Sequence, residues 1–316
     1  MANLQYSSDI INYSLFSGFE PTDGTSDFES NMVEYLNRAY RTLYMGGTEF
    51  DPEINETWWW LKAESNLILQ PSIKTGTVSV TNNSASITFS SGPTPTVAGY
   101  FFKVDNHEDV FKVSAHTATE TGATLDSVYT GDTNTTASYR LMKMEYDLAS
   151  DLYKIIAPMR GYQDSRHKID GMSISEMEDQ YPLSKAMSGT PDHFGMVDED
   201  TVRFNRFGSD NGDLIRLDYD YLKIPTDLTD SGSEEPLVPL QYRQVLADIT
   251  TFYLLLDKED DKAQALGLSA KSGLKAMARE NQSRWSQMGE PGQIYSRMKN
   301  TRQFRRVPRT ESGLIL

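Results

Sequence analysis

The chain has 316 residues, no cysteine, 38% hydrophobic residues and a formal charge of −15. Without cysteine there can be no disulfide, thiolate catalysis or cysteine-ligated zinc, and no apolar run approaches the ~20 residues that a membrane-spanning helix needs. The charge is uneven: residues 296–316 hold six basic residues against one acid, which leaves the rest of the chain at −20. The body therefore repels nucleic acid, whereas the last segment attracts polyanions or acidic protein.

Residues 1–26 show weak periodicity and a turn-rich patch at Pro21–Gly24, so they read as an N-terminal arm. They carry neither the basic start nor the apolar run of a signal peptide. Ser26 and Glu29 fit a capping box, and Phe28, Met32, Tyr35, Leu36, Ala39, Tyr40 and Leu43 follow at helical spacing up to Gly46-Gly47. A second helix is predicted from Asp51-Pro52 to Ile68, with Ile54, Trp58, Leu61 and Ile68 on one face. Tryptophans 58, 59 and 60 cannot all face one core from a helix. Trp58 is assigned to the core, and Trp59 and Trp60 become candidates for contact with another domain or subunit.

At Pro71 the period changes from helical to two. Thr77–Thr81 and Ala85–Phe89 alternate around Asn82-Asn83, which suits a tight hairpin because Asn tolerates positive φ. Further short strands are expected at 100–104, 110–115, 121–125 and 138–142. Beyond Glu145 the pattern is mixed, with a short helix over 174–181 and strands at 193–197, 201–204 and 213–222. Residues 226–236 read as an exposed loop, and two amphipathic helices, 240–258 and 260–288, follow it. The expected fold class is α+β. A helical-bundle body (27–70 and 143–292, with a few short strands around 193–222) carries an inserted small antiparallel β-sandwich or barrel (71–142) and an extended C-terminal tail (293–316).

Chemistry-bearing motifs are sparse. His107, His116, His167 and His193 lack metal-ligand spacing, and no Walker A, GxSxG or GxGxxG sequence is present. Acidic pairs such as Glu176 and Glu178, or the run Asp198-Glu199-Asp200, are better explained as a solvated face than as acid–base machinery in so acidic a chain. Gly208–Asp213 is like part of a calcium loop but lacks the bidentate glutamate. No catalytic, cofactor-binding or metal residue is assigned, and the expectation is a non-enzyme.

The tail departs from this background. Arg297, Lys299, Arg302, Arg305, Arg306 and Arg309 are interleaved with Tyr295, Met298, Phe304 and Val307, and Leu314, Ile315 and Leu316 follow. A disordered, solvated terminus is the bland reading of such a segment, and phosphate binding is another. Apolar anchors mixed with arginine favour docking in a protein groove.

A run of motifs resembles one known family. Gly76-Thr-Val-Ser-Val-Thr-Asn82 and Ser86-Ile-Thr-Phe89 are followed by Gly99–Val104, Val110–Val113, Thr124-Leu125, Tyr129-Thr-Gly131, Tyr139-Arg140 and Glu145–Asp151. In this order they are similar to the β-region of tailed-bacteriophage head-to-tail adaptor (connector, neck) proteins. The closing stretch, with Val238-Pro-Leu-Gln-Tyr-Arg243 and Asp260-Asp-Lys-Ala-Gln-Ala265, resembles that family's C-terminal helical pair. Ala149 stands where proline is usual, and the turn at Ser91–Thr96 is longer. The resemblance implies a structural virion subunit made in the host cytoplasm and placed at the head–tail junction. It would assemble as a homo-oligomeric ring, commonly a dodecamer, below the portal protein. Tail or nozzle proteins would lie on the other side, and DNA would pass through without specific binding. It also implies that the C-terminal tail docks into the portal, and it supplies no cofactor. A rival reading is a receptor- or carbohydrate-binding virion protein. That reading needs exposed aromatics on the β-domain, and Tyr100, Phe101, Phe102 and Tyr129 are its candidates.

Overall fold

The computed structural model describes residues 4–18, 31–50, 52–161, 167–229 and 233–288. The chain divides into two compact units, Met1–Lys62 with Lys223–Leu316, and Ala63–Leu222. Among the described residues the α-helices are α1 (Ser7–Ser17), α2 (Met32–Tyr44), α3 (Ile174–Gln180), α4 (Arg243–Asp257) and α5 (Lys262–Met288).

The first unit is helical and centres on α4, which packs against α1, α2 and α5. Leu246, Ala247, Ile249, Tyr253, Leu254 and Leu255 of α4 are buried, too many for a single stripe, because neighbours cover several faces. Thr250 and Thr251 are buried there too, and their hydroxyls donate to the carbonyls of Leu246 and Ala247 at 2.8 Å, so neither is left unpaired. Gly273 lets α5 approach α4 closely, since a Cβ there would lie 2.7 Å from Val245. α2 buries Met32, Leu36, Ala39, Tyr40 and Leu43, and the chain beyond it turns through Gly46 and Gly47 at φ +92° and +78°. Arg243 is 4% exposed and fully occupied. It donates to the carbonyls of Val238, Pro236, Leu4 and Gln5 and to the Glu235 carboxylate, tying the N-terminal residues to the stretch that precedes α4.

The second unit is rich in strands and contains two sheets that nearly close on themselves. Its strands begin with β1 (Lys62–Leu69). The first sheet has seven strands, β2 (Val78–Val80), β3 (Ser86–Phe89), β4 (Phe101–Val104), β5 (Val110–His116), β6 (Gly122–Leu125), β7 (Asn134–Ala137) and β8 (Tyr139–Met142). They are ordered β7-β2-β3-β6-β5-β4-β8. The terminal members β7 and β8 are one stretch of chain broken only at Ser138, so a single run pairs with β2 through its first half and with β4 through its second. Alternate residues point inward, and Val78, Val80, Ile87, Phe89, Phe102, Val113 and Leu141 fill the interior.

The second sheet has eight strands, β1 with β9 (Glu145–Asp147), β10 (Leu152–Ile155), β11 (Met159–Gly161), β12 (Lys168–Gly171), β14 (His193–Met196), β15 (Thr201–Phe204) and β17 (Ile215–Lys223). Its order is β1-β17-β11-β12-β14-β15-β9, with β10 also on β17. Its two ends come together, because the Tyr146 hydroxyl of β9 accepts the Gln70 N–H just past β1 at 2.8 Å. A short parallel pair, β13 (Met187–Ser188) with β16 (Arg206–Phe207), lies outside this path. Phe101, Met142 and Met144 pack with Phe207 as a small core between the two sheets.

This architecture corrects the expected fold class. The β part is no small insert on a helical body; it is a compact unit of about half the chain, and residues 145–223 belong to its second sheet rather than to a bundle. The helix predicted over 51–68 is absent. Its place is taken by a 3₁₀ turn, Trp59–Leu61, and by β1, in which Leu67 and Leu69 face inward at period two. Pairing with β17 decided the matter, a tertiary choice that short-range spacing could not register. The N-terminal arm also differs, since residues 7–17 form α1 and pack on α4. Ser26 and Glu29 lie outside the described residues.

Candidate functional site

The tail candidates Arg297, Lys299, Arg302, Phe304, Arg305, Arg306, Arg309, Leu314, Ile315 and Leu316 lie outside the described residues. They follow the 27-residue helix α5, which by its rise is ~40 Å long.

The tryptophan triplet forms a strap against α5. Trp58 is 1% exposed, and its indole donates to the Leu43 carbonyl. Trp60, also buried, stacks on Trp58 with ring centroids 6.2 Å apart, and its own indole N–H makes no hydrogen bond among the described residues. Trp59 is half-buried: its backbone N–H donates to Asn281 at 3.0 Å and the Arg284 guanidinium sits 4.7 Å from its ring. Asn281 is buried on α5 and also donates to Glu56 and to the Thr57 carbonyl, so one amide side chain meets three successive parts of the strap. Both candidate contact residues thus have partners inside the helical unit, and Trp59 keeps part of its surface free.

The histidines have local roles. His116 accepts the Val97 N–H on Nδ1 at 3.1 Å, while its Nε2 lies 3.0 Å from the Glu120 carbonyl, which fixes the neutral tautomer that donates from Nε2. His107 accepts the Asp109 N–H and meets Thr130 at 3.2 Å. His167 lies 2.8 Å from the Pro191 carbonyl. No group of three or more His, Asp or Glu residues among those described could hold a metal ion.

Carboxylates that looked available are engaged or isolated. Glu178 pairs with Arg203 at 2.7 Å, and the Glu176 carboxylate accepts from the Gln180 amide at 3.2 Å. Asp248, on α4, has its carboxyl raised above the usual range by burial, with Gln244 as its hydrogen-bond partner.

The densest electrostatic feature was not foreseen. Glu145, almost buried, lies 2.6 Å from the Lys112 ammonium and 2.8 Å from the Arg203 guanidinium, and Arg203 reaches on to Glu178. Burial alone would raise the Glu145 carboxyl, but hydrogen bonds from Lys112 and Arg203 outweigh it and hold the group below its ordinary range. Arg203 also lies over Phe101 at 5.4 Å. Since Lys112 is on β5 and Arg203 on β15, the network joins the two sheets, and its charges are compensated rather than poised for chemistry. Opposite charges 33 and 58 positions apart in sequence leave no local signal that would have revealed it.

Two cavities are lined by polar groups. One of about 900 Å³ includes His167, Thr190, Asp213 and Arg216, and one of about 390 Å³ includes Lys103 and Arg140. The aromatics required for a sugar-binding face are not at the surface: Tyr100 and Phe101 are 5% exposed, Tyr129 3% and Phe102 0%. No known protein-family model matches the chain, and no curated protein shows significant similarity to it.

Proposed function

We propose that the chain is a structural head-to-tail adaptor subunit of a tailed phage, one member of a homo-oligomeric ring placed between the portal and the tail or nozzle proteins. The observation that carries this reading is how the two ends of the chain are used. Arg243 ties the N-terminal residues to the stretch before α4, and α1, α2 and α5 pack on α4, so the cationic segment that follows α5 is carried by one helical unit. A ring subunit needs that combination, a folded part that repeats around an axis and a segment that grips a neighbour. Many such arms on one ring act together, because each docking raises the local concentration of the next. The strongly acidic body would let DNA slide through rather than adhere. The order of β-region motifs, unlike any single one, is the sequence support.

The burial of Tyr100, Phe101, Phe102 and Tyr129 weighs against the carbohydrate-binding alternative, whose candidate residues these were. Native mass measurement of the full chain, alone and mixed with purified portal rings, tests the proposal. Ring formation and one adaptor ring per portal ring are expected, with occupancy lost on deletion of residues 295–316. A truncated chain that joins portal rings at full occupancy would end the docking role.

A further inference from the structure

Asn211 and Gly212 stand in the turn between β16 and β17 and form the only Asn-Gly step of the sequence. The turn is pinned just before them. The Ser209 carbonyl accepts the Ser72 N–H at 3.1 Å, and the Asp210 carboxylate accepts the Ser72 hydroxyl and lies 3.7 Å from the Arg140 guanidinium. From Asn211 to Leu214 every residue is exposed. The Asn211 backbone N–H donates to the Ser209 hydroxyl at 3.0 Å, but its side-chain amide makes no hydrogen bond among the described residues, and neither does the Gly212 N–H. Gly212 sits at φ +88°, with nothing within 4 Å of where a Cβ would be. An unblocked backbone nitrogen thus follows an unengaged side-chain carbonyl. Two other turn asparagines lack this combination. Asn83 and Asn106, at φ +58° and +64°, precede Ser84 and His107, whose N–H groups donate to the Thr81 and Val104 carbonyls at 3.1 and 3.2 Å.

We propose that Asn211 is a site of spontaneous deamidation in the folded protein, with water as the co-reactant. The Gly212 nitrogen attacks Asn211 Cγ. A new N–C bond forms, the proton of that nitrogen passes to solvent base, and the side-chain nitrogen gains a proton and leaves as ammonia. Water then opens the five-membered succinimide at either carbonyl. One opening gives aspartate in the original backbone; the other gives isoaspartate, in which the chain runs through the former side chain and is one methylene longer. Overall, amide plus water becomes carboxylate plus ammonium. A hydrogen bond on the attacking N–H would hold both its proton and its direction, which is what protects Asn83 and Asn106. Since Ser209 and Asp210 are pinned, the added length falls on 211–214, the entry to β17. The new carboxylate arrives between Asp210 and Asp213, on the wall of the cavity of about 900 Å³ that Asn211 helps to line. This inference does not depend on the adaptor reading.

The test incubates the full chain in mildly alkaline buffer at physiological temperature and follows it by peptide mapping with mass spectrometry. Isoaspartate is scored by enzymatic methyl transfer, and a synthetic peptide of residues 207–216 serves as the unfolded reference. Asn211 should gain a single mass unit, yield isoaspartate as well as aspartate, and react at a rate within tenfold of the peptide. Asn83 and Asn106 should react at least tenfold more slowly than Asn211. Asn211→Gln, which can close only a less favourable six-membered ring, should abolish the change while leaving the melting temperature unaltered. A folded-state rate more than tenfold below that of the peptide, equal reaction at Asn83 or Asn106, or aspartate formed without isoaspartate would each overturn the assignment.

Discussion

The two sheets of the strand-rich unit solve the same closure problem with different materials. The first closes by running one chain segment, β7 into β8, along both of its ends, and its interior is aliphatic and aromatic packing. In the second the chain likewise runs from β9, paired with β15, into β10, paired with β17, and tyrosine hydroxyls add a set of polar ties. Tyr146 accepts the Gln70 N–H and donates to the Lys143 carbonyl, Tyr219 accepts the Ala149 N–H at 2.9 Å, and Tyr221 donates to Asp151 at 2.8 Å. The rings belong to the core, while the hydroxyls satisfy turns that have no strand partner. A packed interior resists through volume, and a tied one through a few polar contacts whose loss orphans a backbone group.

Four substitutions separate these modes, in order of falling effect. Phe102→Ala, at a site with no exposure in the first sheet, should cost about 3–5 kcal/mol by lost burial plus the cavity left behind, read from denaturant unfolding. Glu145→Ala should cost about 2–3 kcal/mol. That is below the ~3–5 kcal/mol of a fully buried pair, because the Lys112 side chain is 40% exposed and water screens it. Tyr219→Phe leaves the Ala149 N–H without its acceptor and should cost about 1–3 kcal/mol. Tyr139→Phe removes only a donor to the Thr75 carbonyl, which keeps a second lone pair, so less than about 1 kcal/mol is expected. If Tyr139→Phe proved costlier than Tyr219→Phe, the contrast between the sheets would fail.

Acidity sharpens the same point at the junction. The Glu145 carboxyl is held below its ordinary value of 4.5, so its contribution is complete above that value and is lost as pH falls through the depressed folded value. The wild type should therefore lose stability on the acid side, as followed by melting temperature between neutral and strongly acidic buffer. Glu145→Gln should start lower at neutral pH and show a shallower acid decline. Parallel curves for the two proteins would mean that Glu145 is not the group responsible.

Much of the first sheet was legible in the sequence, and the second was not, for reasons visible in particular residues. Val78, Val80, Ile87 and Phe89 alternate cleanly and turn on Asn83 at φ +58°, a local code that needs no distant partner. The helices α3, α4 and α5 likewise carry their own periodicity. In the second sheet, β9 to β12 are only three or four residues long and use Tyr, Met and Gly, so no window shows a period. β1 misled because Ile54, Trp58, Leu61 and Ile68 happen to fall at helical intervals, while the inward pair Leu67 and Leu69 is too short to compete. The cavity-lining cations Lys103 and Arg140 are 37 positions apart and come together only through β4–β8 register, which composition cannot report. The tail was singled out by its charge and by the apolar residues interleaved with it.

The continuity of β7 and β8 has a consequence for the protein in solution. An open sheet offers its last strand as a template on which another molecule can add, the route by which strand-rich proteins clump. A sheet whose first and last strands are the same piece of chain presents little such template. The barrel can then be stockpiled at high concentration without sticking to its copies, and self-association is left to surfaces shaped for it.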